Sequence, residues 1–141
     1  MISINLYNDT DLLINQESTQ ILINDILKDY NLTSGEINLV ITDDESLREM
    51  KNEYFNQNYY TDVIAFNIEN NPFEGEIYIS HERVKDNAIK YKQTFEKEIK
   101  RVIIHGVLHL CGKEDKTNDQ KLEMRLLEDS YLKENKFKLI D

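Results

Sequence analysis

Residues 94–115 read "TFEKEIKRVIIHGVLHLCGKED", and the fold follows from what this stretch must become. Thr94 is a good helix N-cap, and the first half, "FEKEIKR", is amphipathic. The second half, "VIIHGVLHLC", is apolar nearly all round, as in a helix buried within a core. The spacing predicts one helix running from Thr94 to Cys111, with Gly112 ending it in a left-handed turn. Such a helix carries His105 and His109 into a dry environment. At four residues apart they lie about 40° from each other on one face, roughly one turn apart, so both reach one ion. Two buried imidazoles need two separate sets of polar partners unless a metal serves both.

A catalytic metal site needs a third protein ligand and an open position. After Gly112 the chain can swing back over the histidine face, and the third residue on is Asp115. Glu114 is the rival, but the neighbouring side chain in such a turn points outward. Cys111 stands about 200° around the helix from His109 and reads as core. Gly106, between the histidines, costs about 1 kcal/mol relative to alanine in a helix interior. Close packing of a strand or helix on it, access for a substrate to the backbone beside the metal, or both together would account for it.

Working outward, "ISINLYN" (2–8) alternates as a half-buried strand, and 16–30 carries apolar residues at helical spacing. "GEINLVIT" (35–42) is a second strand. It leads into a helix that Thr42 and Glu45 open as a capping pair. "TDVIAFNI" (61–68) and "GEIYIS" (75–80) are strand-like runs separated by "ENNPFE", and are expected as neighbours in one sheet. Beyond 81 the pattern is helical: about 82–92, the helix from Thr94, and a last helix opened by Thr117 with Gln120 as capping partner. The expected class is α+β, one domain over 1–141. It holds a small mixed sheet of about four strands, about five helices, and the metal site on a buried central helix.

At 141 residues one core suffices, burying roughly 70% of the unfolded surface. The start, "MISINLYNDT", has neither the basic nor the apolar region of a leader. No apolar run approaches the ~18 residues of a membrane span. A single cysteine excludes an internal disulfide and suits a reducing compartment, so the expected location is the cytoplasm, with no membrane partner. The net charge of −10 lacks the usual basic footprint of a nucleic-acid binder. Locally, however, 83–101 holds Arg83, Lys85, Lys90, Lys92, Lys97, Lys100 and Arg101 against three acidic residues. That segment is either a solvated helix face or a phosphate-facing patch.

"HGVLHLCGKED" (105–115) resembles the HGxLHLxGxDH signature of the YbeY family of rRNA-maturation metallo-endoribonucleases. It matches at His105, Gly106, Leu108, His109, Leu110 and Gly112, and Asp115 stands where the family usually has its third histidine. "TDVIAF" (61–66) is similar to the family's TDVLSF strand and "GEIYIS" (75–80) to its GDIxIS strand. Met124 and Glu128 fall on its MxxxE pattern. Three positions differ: Phe55 occupies the place of an arginine common in the family, Ala65 that of a serine, and Glu76 that of an aspartate.

The resemblance implies a hydrolase acting on single-stranded RNA, at or near the ribosome, in small-subunit rRNA 3′-end maturation and quality control. One zinc ion, or another divalent metal, would be held by His105, His109 and Asp115, with the histidines counted in the catalytic set. Asp62 and Glu76, at the ends of the two matched strands, are the nearest candidates for a general base, the other reading being a surface role or support behind the ligands. Two other readings fit the residues. One is a ribosome-assembly or RNA-binding factor in which zinc staples the core without turnover. The other is a metalloprotease of the HExxHxxGxx[HD] spacing, disfavoured because Gly106 replaces the glutamate that would serve as base.

Overall fold

The computed structural model describes residues 1–141. β1 (Ser3–Asn8) and β2 (Gly35–Thr42) lie parallel, connected through α1 (Gln16–Asp29). After β2, α2 (Asp44–Phe55) leads to the hairpin of β3 (Val63–Asn70) and β4 (Phe73–Ser80). β4 inserts parallel to β2, which leaves β3 antiparallel at the edge, in the order β1-β2-β4-β3. Three helices complete the chain: α3 (His81–Lys90), α4 (Phe95–Leu110) and α5 (Asn118–Glu134). This is the expected α+β architecture with a mixed four-stranded sheet and five helices. No helix is long and apolar enough to cross a membrane.

Side-chain parity assigns the faces of the sheet. Ile37, Leu39 and Ile41 on β2 are fully buried, as are Ile77 and Ile79 on β4. The register places Leu39 beside Ile77 and Ile41 beside Ile79, making one continuous aliphatic face. α4 packs on β3 and β4 and touches α1, α3 and α5 as well, so it is the central helix that its apolar composition requires. Its Ile99, Val102, Ile103, Ile104, Val107 and Leu108 are all buried.

Gly106 is a point of close approach between α4 and the sheet. A Cβ there would come within 3.0 Å of Ile77 Cγ2 and 3.2 Å of Val63 Cγ2. Close packing, not substrate access, therefore offsets the helix cost of this glycine. Overpacking costs about 1–3 kcal/mol and alanine returns about 1 kcal/mol of helix propensity, so Gly106→Ala should destabilise by about 1 kcal/mol. Urea unfolding measures this, and a midpoint at or above wild type would contradict the packing account.

The caps show one departure. Thr94 accepts from Lys97 N, and Thr117 forms the reciprocal box with Gln120, as expected. α2, however, is capped by Asp43, whose side chain accepts from Ser46 N at 2.7 Å. Thr42 is instead the last residue of β2, paired with Ser80. β4 also begins two residues earlier than its sequence pattern, because Phe73 is buried and pairs with Gly35.

Candidate metal centre

α4 ends at Leu110. Cys111 is its C-cap, and Gly112 takes φ +95°, a conformation that glycine adopts without steric penalty. The Lys113 N–H returns to the carbonyl of Leu108 at 3.0 Å, which turns the chain back over the histidines. The result brings His105, His109 and Asp115 together, with one possible ligand atom from each lying within 4.8 Å of the others. Asp115 Oδ2 is 3.3 Å from His105 Nε2, and Asp115 Oδ1 is 3.6 Å from His109 Nε2. Glu114 is exposed and is not part of this cluster.

The tautomers follow from the partners of the other ring nitrogens. His109 Nδ1 lies 2.9 Å from the Lys113 carbonyl oxygen, which can only accept, so Nδ1 carries the proton. His105 Nδ1 lies 2.7 Å from Glu128 Oε2, and the same reasoning holds for the carboxylate. Both neutral rings therefore turn a bare Nε2 inward, and these two atoms are 3.0 Å apart. Two lone pairs at that distance repel unless a proton or a cation lies between them. Burial pushes both histidines down. For His105 the Glu128 carboxylate outweighs burial and holds its pKa above the usual value, while the charge of His105 depresses His109 further. Without a metal the pair can thus hold one shared proton; the same two lone pairs and a carboxylate form the donor set of a divalent-metal site.

Glu128 is the residue that sequence reasoning left without a partner. On α5, and nearly fully buried, it accepts from His105 through Oε2 and from Arg101 Nη1 at 2.9 Å through Oε1. Arg101 Nη2 reaches Asp129 at 2.7 Å. A signal existed: Arg101 and His105 are four apart on α4, so one carboxylate could serve both. A carboxylate behind a histidine fixes its tautomer and raises its basicity as a ligand.

Asp62 and Glu76 separate. Asp62 lines the same cleft as His105 and Asp115. Its Oδ2 accepts from Asn87 Nδ2 of α3 at 3.1 Å, and burial lifts its pKa above the ordinary carboxylate value despite the nearby His105. Glu76 alternates with Ile77 on β4, so it points to the α2 side of the sheet, where it accepts from the Tyr78 hydroxyl at 3.0 Å. The expectation that Glu76 takes part in catalysis is corrected by that parity, because the sheet lies between it and the histidines. Phe55 is also on the α2 side, stacked on Phe66 with centroids 5.8 Å apart.

The basic segment 83–101 does not form one phosphate-facing patch. Arg83 pairs with Asp44 at 2.7 Å, Lys100 is buried and reaches the Asn135 carbonyl, and Arg101 is held by two carboxylates. Of its seven basic residues only Arg101 lines the cleft. Cys111 packs at the core margin, and burial pushes its thiol up to about 12. The native protein should therefore react slowly with a disulfide reagent at neutral pH and quickly once denatured; equal rates would contradict this placement.

The cleft holds about 640 Å³ and is lined by His105 and Asp115, with His109 clustered beside them. The family model described as Endoribonuclease YbeY matches residues 5–136. This chain belongs to the YbeY family. Among its relatives, Endoribonuclease YbeY of Flavobacterium psychrophilum is 43% identical over 135 residues, covering 94% of this chain and 95% of that protein. Its counterpart in Christiangramia forsetii is 39% identical over 131 residues, covering 92% of each. The solution structure of a Thermotoga maritima protein superimposes with a TM-score of 0.61 at 26% identity, over 94% of this chain and 87% of the other. For the YbeY family, then, the departure at Asp115 replaces an imidazole by a carboxylate while keeping a ligating group within reach of both histidines.

Proposed function

We propose that the chain is a metal-dependent endoribonuclease that cuts single-stranded RNA, one catalytic domain over 1–141, with His105, His109 and Asp115 holding one divalent ion. The observation that carries this reading is the pair of inward-facing Nε2 atoms, 3.0 Å apart, with both Nδ1 atoms committed elsewhere. Two imidazoles and one carboxylate suit zinc best among the common divalent metals. Bound there, the ion would supply Lewis acidity towards a phosphoryl oxygen and bring water ionisation towards neutrality.

The protein's own groups do the rest. Glu128 keeps the His105 proton on Nδ1, and the Lys113 carbonyl does the same for His109. Asp62, at the cleft wall and with its pKa raised by burial, is placed to take a proton from the reacting strand or return one to it.

Two features favour turnover over a zinc staple. A structural zinc uses four protein ligands, whereas three gather here. Their side chains keep 24%, 30% and 37% of their surface exposed for His105, His109 and Asp115. A protease is disfavoured because the position of its general base is Gly106, sealed against Ile77 and Val63. The family's name and signature support small-subunit rRNA 3′-end processing and quality control at the ribosome, in the cytoplasm, as the setting. The test is direct: metal-loaded protein should cut an unpaired oligoribonucleotide in preference to the same sequence in a duplex, and should leave casein intact. A folded, metal-loaded protein inert on RNA would support the assembly factor instead, and casein cleavage would support the protease.

A further inference from the structure

The cleft beside the histidines is lined by the carboxylates of Asp62, Glu98, Asp115 and Glu128, so the phosphates of a strand lying there need a source of positive charge close by. Three cationic side chains line the cleft: Arg101, Lys121 and Arg125. Arg101 is spent on Glu128 and Asp129. Lys121 and Arg125 are exposed and take part in no ion pair or side-chain hydrogen bond. In a chain with 27 acidic and 17 basic residues, two cations left unpaired on the wall of an otherwise acid-lined cleft are available to a ligand. They are four apart on α5, on one face and one turn from each other, a span comparable to that between successive phosphates of a strand. The α3–α4 turn brings Tyr91 to the same cleft, with 55% of its surface exposed.

We infer that Lys121 and Arg125 grip the phosphates of the single strand next to the bond that is cut, and that Tyr91 stacks a base beside them. This rests on the endoribonuclease reading. It moves the electrostatic contact from the helix preceding the histidines to the helix following them. Lys121 and Arg125 are positioning residues: they set where the strand lies, and the metal ligands are untouched by them. Tyr91 supplies what an inorganic phosphate site would not need, an aromatic face that accepts any base.

The experiment measures binding of a fluorescein-labelled, unstructured oligoribonucleotide to the metal-loaded protein by anisotropy over a series of salt concentrations, together with kcat, KM and metal content. For the Lys121→Ala/Arg125→Ala double variant, Kd and KM should rise about tenfold or more, and the log–log salt slope should become shallower by about 1.4, as expected for two lost contacts to a single strand. Metal content and kcat should stay near wild type. The charge-preserving pair Lys121→Arg and Arg125→Lys should restore the slope. Tyr91→Ala should weaken binding about tenfold with the slope unchanged, because stacking displaces no counterions. Lys133→Ala, on α5 but outside the cleft, should change neither quantity. Wild type that binds and cuts RNA while the double variant keeps its slope and Kd would overturn the grip and leave the nuclease reading intact. Loss of slope with Lys133→Ala equal to that of the double variant would overturn it as well, by making the effect one of net charge. Unchanged affinity in Tyr91→Ala would overturn the stacking assignment. Wild type that neither binds nor cuts unpaired RNA would overturn the nuclease reading and this inference with it.

Discussion

His109→Ala should give a folded chain that neither retains its ion nor cuts RNA. The fold survives because the loss is small: one hydrogen bond to the Lys113 carbonyl, about 1 kcal/mol, and a side chain already 30% exposed. Against the 5–15 kcal/mol typical of a domain that loss is tolerable. The site does not survive, because only His105 and Asp115 remain, and two ligands cannot fill the set that a catalytic zinc needs. Circular dichroism should match wild type while cleavage falls to the level of the metal-stripped protein. A folded His109→Ala variant that cuts RNA at the wild-type rate would remove the histidine pair from the mechanism.

Glu128→Ala should produce the largest loss of stability together with a loosened metal. Glu128 joins α5 to α4 through two charge-assisted bonds, to Arg101 and to His105. Removing it leaves a largely buried guanidinium short of one partner and an imidazole without its proton acceptor. Breaking a buried ion pair from one side costs about 3–5 kcal/mol, and loss of the carboxylate behind a ligating histidine weakens metal affinity about 10–100-fold. Glu128→Gln separates the two effects. The amide keeps the shape and part of the stability, but it cannot accept from both neighbours at once, so metal retention should still fall. Urea unfolding with and without added zinc reads both. A Glu128→Ala protein with wild-type midpoint and metal content would show that this carboxylate supports neither helix docking nor the site.

How far the sequence carried the account depends on the kind of interaction involved. α4 was legible because its apolar residues surround the whole helix, and Asp115 because a glycine that ends a helix constrains where the next few residues can go. Glu76 was misread although the information was present: in "GEIYIS" the buried isoleucines at 77 and 79 fix the face, and strand parity then sends residue 76 to the other side. Thr42 was misread because threonine serves equally as a strand residue and as a cap; the strand claimed it, and Asp43 took the cap. The insertion of β4 between β2 and β3 depends on long-range pairing that no local pattern encodes. The same holds for Glu128, whose meeting with Arg101 and His105 exists only once α5 has docked.

The central claim, that His105, His109 and Asp115 hold one ion, is tested most directly by metal content per chain after dialysis against a weak chelator, for wild type, Asp115→Ala, Glu114→Ala and Asp115→His. Asp115 places its two carboxylate oxygens 3.3 and 3.6 Å from the histidine Nε2 atoms, whereas the adjacent Glu114 is exposed and outside the cluster. Wild type and Glu114→Ala should each keep about one ion per chain, as expected for one site of this donor set. Asp115→Ala should lose it, and Asp115→His should recover retention with the family's usual ligand. If Asp115→Ala keeps its metal as well as wild type while Glu114→Ala loses it, the turn after Gly112 delivers a different ligand and the site described above is wrong.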